Sequence, residues 1–296
     1  MKERLLSGVK PTGEIHIGNY FGAMKQFVDF QDKYDSFIFI ADLHALTQIK
    51  NPVKISQYIL EVAKSFLSIG LDPERVVLFK QSDIKPVTEL CWILNCITPI
   101  GLLKRAHAYK DALAKQKPIN VGLFDYPVLM AVDILIYKSD VVPVGRDQQQ
   151  HIEIAQEIAK KFNRIHGNVF KIPRGVIHKS VAVIKGLDGK KMSKSYKNTI
   201  GLFDSKDEIK KKIMSININS DNLSKSMDPE TCNIFAYHKL FSKDDIDQIK
   251  ISYKNGSISY KESKKLLVDN MDKFLGPIRE KKQKLDKNPD YIILSF

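Results

Sequence analysis

The stretch RLLSGVKPTGEIHIGNYFGA, residues 4–23, decides the fold. Arg4–Val9 is a short run that reads as a buried strand. Glycines at 8, 13, 18 and 22 then stud a turn that leads into a helix. A strand, a glycine-rich turn and a helix, in that order, open many nucleotide folds, because backbone N–H groups and the positive helix end can approach a phosphate. Gly18 and Gly22 leave room for a flat base or sugar. His16 and Asn19 lie three residues apart at the helix start, so both side chains can project from one face toward the same phosphate. A tight turn without a ligand needs the same glycines, so this segment alone leaves nucleotide binding open.

Working outward, Ser36–Asp42, Val76–Lys80 and Val141–Val144 also read as strands, alternating with amphipathic helical segments through about residue 190. That alternation predicts a parallel sheet with crossover helices. The best-punctuated helix has Asn51 as N-cap, Pro52 at its first position, apolar residues at Ile55, Ile59, Val62, Phe66 and Ile69, and Gly70 as terminator. From about Asp207 the strand signal fades, and Lys261–Leu285 repeats apolar residues at helical spacing, with an interruption expected at Gly276-Pro277. The expected class is α/β: a parallel-sheet domain followed by an all-helical one, with the boundary near residues 195–205.

The length of 296 residues and 43% hydrophobic content suit about two domains of about 150 residues each. Three cysteines, Cys91, Cys96 and Cys232, are widely spaced and form no CxxC pair, which argues against a disulfide framework and fits a reducing cytoplasm. No stretch approaches the roughly 18 uninterrupted apolar residues of a membrane span, and Met1 leads straight into Lys2-Glu3-Arg4, so neither secretion nor membrane insertion is expected. The net charge of +13 favours an anionic partner. Residues 160–197 hold eleven Lys/Arg against one acid, Asp188, and so carry ten of the thirteen surplus charges. From Asp204 to Phe296, 18 basic residues nearly balance 15 acidic ones, as on an ordinary solvated helix surface.

The centre of the basic stretch is GKKMSKS, residues 189–195, expected on a loop between an apolar strand at Ser180–Ile184 and the helical half. Lys191 and Lys194 stand three residues apart among small hydroxyls. Such cations can stabilise charge growing on pyrophosphate in a transition state more than they stabilise bound ATP. A solvated basic face is the competing reading. A lysine string can arise by chance in a lysine-rich chain, but its pairing with the glycine turn at His16 makes chance a poor account.

Together the two segments resemble the HIGH and KMSKS signatures of class I aminoacyl-tRNA synthetases. SGVKPTGEIHIGNYFGA (7–23), FIADLHALT (39–47), YPVLMAVDILIY (126–137), VPVGRDQQQH (142–151) and GKKMSKS (189–195) resemble successive blocks of the bacterial-type tryptophanyl branch. The resemblance implies a Rossmann-like catalytic domain over 1–200, with a helical dimerisation insertion at about 82–125, and a helical tRNA anticodon-binding domain over 201–296. It implies activation of L-tryptophan by ATP with Mg²⁺, transfer to tRNA(Trp), and a homodimer. Catalytic roles fall on His16, Asn19, Lys191 and Lys194. ATP contacts fall on Lys10, Pro11, Thr12, Gly18, Asn19, Gly22, Gly145, Arg146, Asp147, Val183, Lys191, Met192, Ser193, Lys194 and Ser195. Tryptophan contacts fall on Leu6, His44, Tyr126, Met130, Asp133, Val142, Val144 and Gln148.

Two of these blocks also carry a reading of their own. Tyr126, Met130 and Asp133 fall at i, i+4 and i+7 on one face of a helix that is apolar nearly all round, where a carboxylate needs a donor. In the family the matching aspartate accepts the indole N–H, a way to reject phenylalanine. The competing reading is a core aspartate that caps a backbone group. Asp147, with Gln150 three residues on, has the spacing of a capping box, a role that can coexist with ribose binding. His44 on its own reads as a satisfied loop histidine.

The departures from the family pattern are specific. Lys10 replaces a frequent glutamine, Asn19 the second histidine, and Leu6 an aromatic residue, while Ala112 replaces a phosphate-binding lysine, leaving Lys110 or Lys115 to supply it. Some relatives hold an iron–sulfur cluster on four cysteines; here Cys232 remains but Tyr260 and Ser263 stand at two of the other positions, so no cluster is expected. Relatives usually continue past the position of Phe296 into another basic helix. A tyrosyl enzyme, a small nucleotidylyltransferase with an HxGH-type turn and a non-catalytic RNA-binding paralogue are the alternatives. The MAVD block, the separate lysine loop and the retained signature lysines, respectively, argue against them.

Overall fold

The computed structural model describes residues 2–116, 118–145, 148–176, 184–216 and 227–296. Its strands are β1 (Arg4–Val9), β2 (Asp35–Ile40), β3 (Val77–Lys80), β4 (Val141–Pro143) and β5 (Arg174–Val176). The first helices are α1 (Ile17–Asn19), α2 (Lys25–Phe30), α3 (Asp42–Ala45), α4 (Pro52–Ser68), α5 (Pro86–Asn95), α6 (Ile100–Lys104) and α7 (His107–Ala114). They are followed by α8 (Val121–Ile136), α9 (Gln149–His166), α10 (Lys206–Met214), α11 (Asn233–Phe241), α12 (Ile246–Asn255), α13 (Tyr260–Asp286) and α14 (Pro289–Leu294). Of the strand expected at Ser180–Ile184, only Ile184 lies within the described residues. The chain folds into two compact units, one of Met1–Gly13, Gln26–Val181 and Pro289–Phe296, the other of Glu14–Lys25 and Ala182–Asn288.

The first unit is α/β. Its five strands are parallel and ordered β3-β2-β1-β4-β5, with Leu5 of β1 registered against Ser36 of β2 and Val141 of β4. Between β1 and β4 the strand order reverses, and a crevice outside the carboxyl ends of two such strands is where open α/β sheets bind ligands. Helix α4 forms as its punctuation predicts: the Asn51 side chain accepts from the Lys54 N–H at 3.0 Å, and Gly70 ends the run at φ +100°. Helix α8 starts at Asn120, whose side chain accepts from the Leu123 N–H at 2.9 Å. It packs on α5 and α9, and Val128, Ala131, Val132 and Leu135 join Leu6, Phe39, Phe79 and Val142 of the sheet in one hydrophobic cluster.

The second unit is helical where it is described beyond residue 205. The break expected at Gly276-Pro277 does not occur, because α13 runs unbroken through Pro277. Proline removes one helical hydrogen bond there, and the helix is held elsewhere by a Ser259–Glu262 capping box and a buried face of Leu267, Val268, Met271 and Leu275. The ring of Phe21 packs against Phe241 of α11 at 5.3 Å and Phe274 of α13 at 5.9 Å, so the segment after the first glycine turn is clamped to the helices. No helix among the described residues is long and apolar enough to cross a membrane.

Candidate active site

In the first unit the loops leaving the C-terminal edge of the sheet carry the polar groups. Lys10, Pro11 and Thr12 follow β1, His44 stands on α3 after β2, Gln81 follows β3, and Val144 and Gly145 follow β4. Lys10 is half-buried, and desolvation holds its ammonium below the usual lysine pKa. Pro11 is buried; Thr12, Val144 and Gly145 are half-buried. Arg146, Asp147 and Val183 lie outside the described residues.

Asp133 is 2% exposed on α8. His44 places Nε2 2.8 Å from its Oδ2, and Gln81 donates from Nε2 to Oδ1 at 2.8 Å and to Oδ2 at 3.0 Å. Burial raises the carboxyl pKa, and the bonds from His44 and Gln81 pull it back. The partners are therefore two side chains, not the backbone group of the core reading. A carboxylate has about four lone-pair positions, so Oδ1 keeps an acceptor site after these bonds. Gln81, fully buried, also accepts from the Leu43 N–H at 3.2 Å, which fixes its amide orientation and ties the start of α3 to the end of β3. The sequence reading missed Gln81.

Tyr126 is half-buried, its hydroxyl 3.1 Å from His151 Nε2 and its ring edge-on to His44 at 6.2 Å. Leu6 and Val142 are buried and Met130 and Val144 partly buried, all in the hydrophobic cluster beside Asp133. Gln148 is half-buried at the start of α9. The capping box expected between Asp147 and Gln150 falls on a residue outside the described ones; the Gln150 side chain donates to Arg105 O at 3.1 Å and accepts from the His107 N–H at 2.8 Å. Near Ala112, which is buried, Lys115 pairs with Asp111 at 2.5 Å and Lys110 is exposed.

In the second unit the glycine turn and the lysine loop share one framework. The Ile17 N–H donates to Ile200 O at 3.0 Å and the Leu202 N–H to Ile15 O at 2.9 Å, so residues 15–17 pair with the segment that follows the lysine loop. His16 and Asn19 face each other's backbone: the Asn19 N–H donates to His16 Nδ1 at 3.3 Å, and the His16 N–H to Asn19 Oδ1 at 3.1 Å. Because Nδ1 accepts, a neutral His16 carries its proton on Nε2. Burial, with Lys194 nearby, lowers its pKa to about 4, so it is neutral at pH 7. The polar atoms left over, His16 Nε2 and Asn19 Nδ2, are both donors, which suits an anion. A Cβ on Gly18 would sit 2.8 Å from His16 Nδ1, so only glycine leaves that imidazole in place. Gly22 is half-buried, with open space where a Cβ would stand.

Lys191, Lys194 and Ser195 are exposed, Ser193 half-buried and Met192 buried. Desolvation lowers the Lys194 pKa, opposed by Glu14. The loop closes on an antiparallel bridge between Lys185 and Lys191, with the Met192 N–H donating to Ile184 O at 2.8 Å. Its base is fastened to α11 by Tyr237, which donates to Lys185 O at 2.7 Å, and by Asn233, which donates to Gly186 O at 3.1 Å. Elsewhere in this unit Cys232 Sγ lies 3.1 Å from Tyr260 OH, and Tyr253 OH lies 2.5 Å from Ser263 Oγ. The positions singled out for cluster ligands thus form a hydrogen-bonded set.

The family model described as tRNA synthetases class I (W and Y) matches residues 2–276. The chain belongs to this family. The class I synthetase is 47% identical over 292 residues to a tryptophan–tRNA ligase of Fusobacterium nucleatum, covering 98% of this chain and 90% of that one. It superposes on a tryptophanyl-tRNA synthetase from Campylobacter jejuni, crystallised with ADP and tryptophan, with a TM-score of 0.92 at 46% identity, covering 99% of this chain and 92% of that one. A tyrosyl-tRNA synthetase from Archaeoglobus fulgidus shares the fold at 21% identity and a TM-score of 0.72, covering 95% and 90% of the two chains.

Proposed function

We propose that this synthetase activates L-tryptophan with ATP and transfers the tryptophanyl group to tRNA(Trp). The observation that carries the reading is the buried Asp133, held by His44 and Gln81 beside an apolar wall, an acceptor for the one polar atom of an indole. A carboxylate oxygen of tryptophan attacks the α-phosphorus of ATP, the bond to the bridging oxygen breaks, and pyrophosphate leaves. The 2′-hydroxyl of the terminal adenosine of tRNA then attacks the adenylate carbonyl carbon, and AMP leaves. No covalent enzyme intermediate is required. Acceleration comes from positioning and from donors aimed at growing negative charge: His16 Nε2, Asn19 Nδ2 and the ammonium groups of Lys191 and Lys194.

Lys10, Pro11, Thr12, Gly18, Gly22, Gly145, Arg146, Asp147, Val183, Met192, Ser193 and Ser195 make the remaining ATP contacts in this reading. Leu6, Met130, Val142 and Val144 pack on the indole, with Tyr126 and Gln148 at the amino-acid end. In this reading the Mg²⁺ is carried mainly on phosphate oxygens. When bound, that ion neutralises triphosphate charge. Residues 1–200 serve catalysis and 201–296 the anticodon arm. The setting is the cytoplasm and the protein carries no iron–sulfur cluster.

A homodimer through the region of α5–α8 accounts for Trp92 at 71% and Val121 at 80% exposure, beside an apolar recess of about 400 Å³ lined by Leu43, Leu46, Cys91, Tyr126 and Leu129. Pyrophosphate exchange with tryptophan, tyrosine or no amino acid tests the function. Exchange that depends on tryptophan is expected; equal exchange with tyrosine, or none at all, overturns it.

A further inference from the structure

We propose that Asn198 is the positioning residue of the lysine loop, a buried amide that holds the backbone of Lys191–Ser193 in the register from which the loop's ammonium groups act. The inference rests on the reading of Lys191 and Lys194 as charge-stabilising groups and adds the group that sets their place.

Asn198 is 3% exposed, and its side chain reaches three points of the loop. Oδ1 accepts from the Ser193 N–H at 2.8 Å, while Nδ2 donates to Asp188 Oδ1 at 2.7 Å and to Lys191 O at 3.2 Å. Its carbonyl oxygen also accepts from the Leu187 N–H at 3.0 Å. Only a side chain that both donates and accepts can make this set; a hydroxyl is too short and a carboxylate has no donor.

The surroundings are shaped for it. Lys197 adopts the left-handed conformation at φ 52°, ψ 30°, a turn of the chain immediately before Asn198. Gly186 leaves the space, since a Cβ there would stand 2.8 Å from the Asn198 carbonyl oxygen. Asp188, the one acid among the basic residues of 160–197, accepts from Asn198 and from the Lys190 N–H at 3.0 Å. Two residues beyond Asn198, Ile200 receives the Ile17 N–H, so the segment that sets the loop also anchors the His16 turn. Asn198 does not offer its own amide to a ligand, because every hydrogen bond named for it goes to the loop. It acts through Lys191 and Ser193.

The test uses the full chain and the variants Asn198→Ala, Asn198→Asp and Asp188→Asn/Asn198→Asp. In the last of these the amide and carboxylate exchange places and the pair can re-form. Tryptophan-dependent pyrophosphate exchange gives kcat and KM, and equilibrium tryptophan binding reports an intact fold. Both single variants are expected to lose about 10- to 100-fold in kcat with the tryptophan KM within about twofold, the size of effect a misplaced group produces. The double variant recovers part of the loss suffered by Asn198→Asp, through the re-formed 188–198 bond, while the Lys191 carbonyl stays without its donor, and Lys194→Ala costs less in the Asn198→Ala background than alone.

Wild-type kcat in both single variants overturns the proposal. So does a double variant worse than Asn198→Asp, or a loss confined to KM. If Asn198→Asp binds no tryptophan, Asn198→Ser is read in its place by the same criteria. A wild-type chain that exchanges no pyrophosphate overturns the underlying reading instead, and the two failures are distinguishable.

Discussion

His44 Nε2 lies 2.8 Å from Asp133 Oδ2, and both side chains are buried. A carboxyl group so enclosed is held because His44 and Gln81 bond it, and removing either leaves a buried polar group short of partners. Gln81→Met keeps the volume and deletes the donor. It is expected to raise the tryptophan KM by roughly 5- to 150-fold, the equivalent of about 1–3 kcal/mol, with a smaller change in kcat. Asp133→Ala is expected to weaken tryptophan binding and to reduce its preference over phenylalanine. Competition binding with the two amino acids measures both, and a preference that survives Asp133→Ala contradicts the role.

In the proposed reaction Lys194 acts on charge that grows toward the transition state. Lys194→Ala is therefore expected to lower the rate of adenylate formation by about 10²–10³, as loss of a charge-stabilising donor does, and to leave tryptophan affinity nearly unchanged. Single-turnover kinetics separate the two quantities. A variant with a normal rate and weakened affinity assigns the lysine to ground-state binding.

Two buried histidines contribute to the fall of stability at acid pH. His16 and His238 both have pKa values lowered from 6.5 to about 4, mainly by desolvation, with Lys194 adding to the effect at His16 and the Ser263 backbone opposing it at His238. The unfolded chain binds protons at these rings as the pH falls through 6.5, whereas the folded chain does so only near 4. Their contribution is complete above the unfolded value and is lost progressively as the pH drops from there toward about 4. Urea midpoints should decline between about pH 7 and about pH 5, less steeply for His238→Gln. A flat profile over that range contradicts neutral burial of the two rings.

Cys232, Tyr253, Tyr260 and Ser263 satisfy one another by contacts that use three hydroxyls and one thiol. A cluster needs several thiolate ligands, so protein purified anaerobically is expected to contain iron and sulfide well below one equivalent per chain. Stoichiometric iron overturns the expectation.

Much of the fold is legible in single residues. Asn51, Pro52 and Gly70 announce α4 because N-cap, first-turn and terminating positions each demand a particular chemistry. Pro277 misleads, since a helix with enough buried surface tolerates the loss of one hydrogen bond. The sequence places His16 and Asn19 on one face, but their mutual capping is hidden because histidine is not among the usual capping residues. Gln81 and Asn198 belong to no periodic pattern and no spacing rule. Their meaning arises when Asp133, 52 residues from Gln81, or Asp188, 10 residues from Asn198, comes within hydrogen-bond reach.

The ladder between residues 15–17 and 200–202 has a consequence for biosynthesis. The amino-terminal segment of that pair leaves the ribosome while its partner awaits translation of roughly 180 further codons, on the order of 10–40 s at ordinary elongation rates. The histidine-bearing bend is thus made early and secured late, and a nascent chain stalled before codon 200 lacks the backbone partner of residues 15–17.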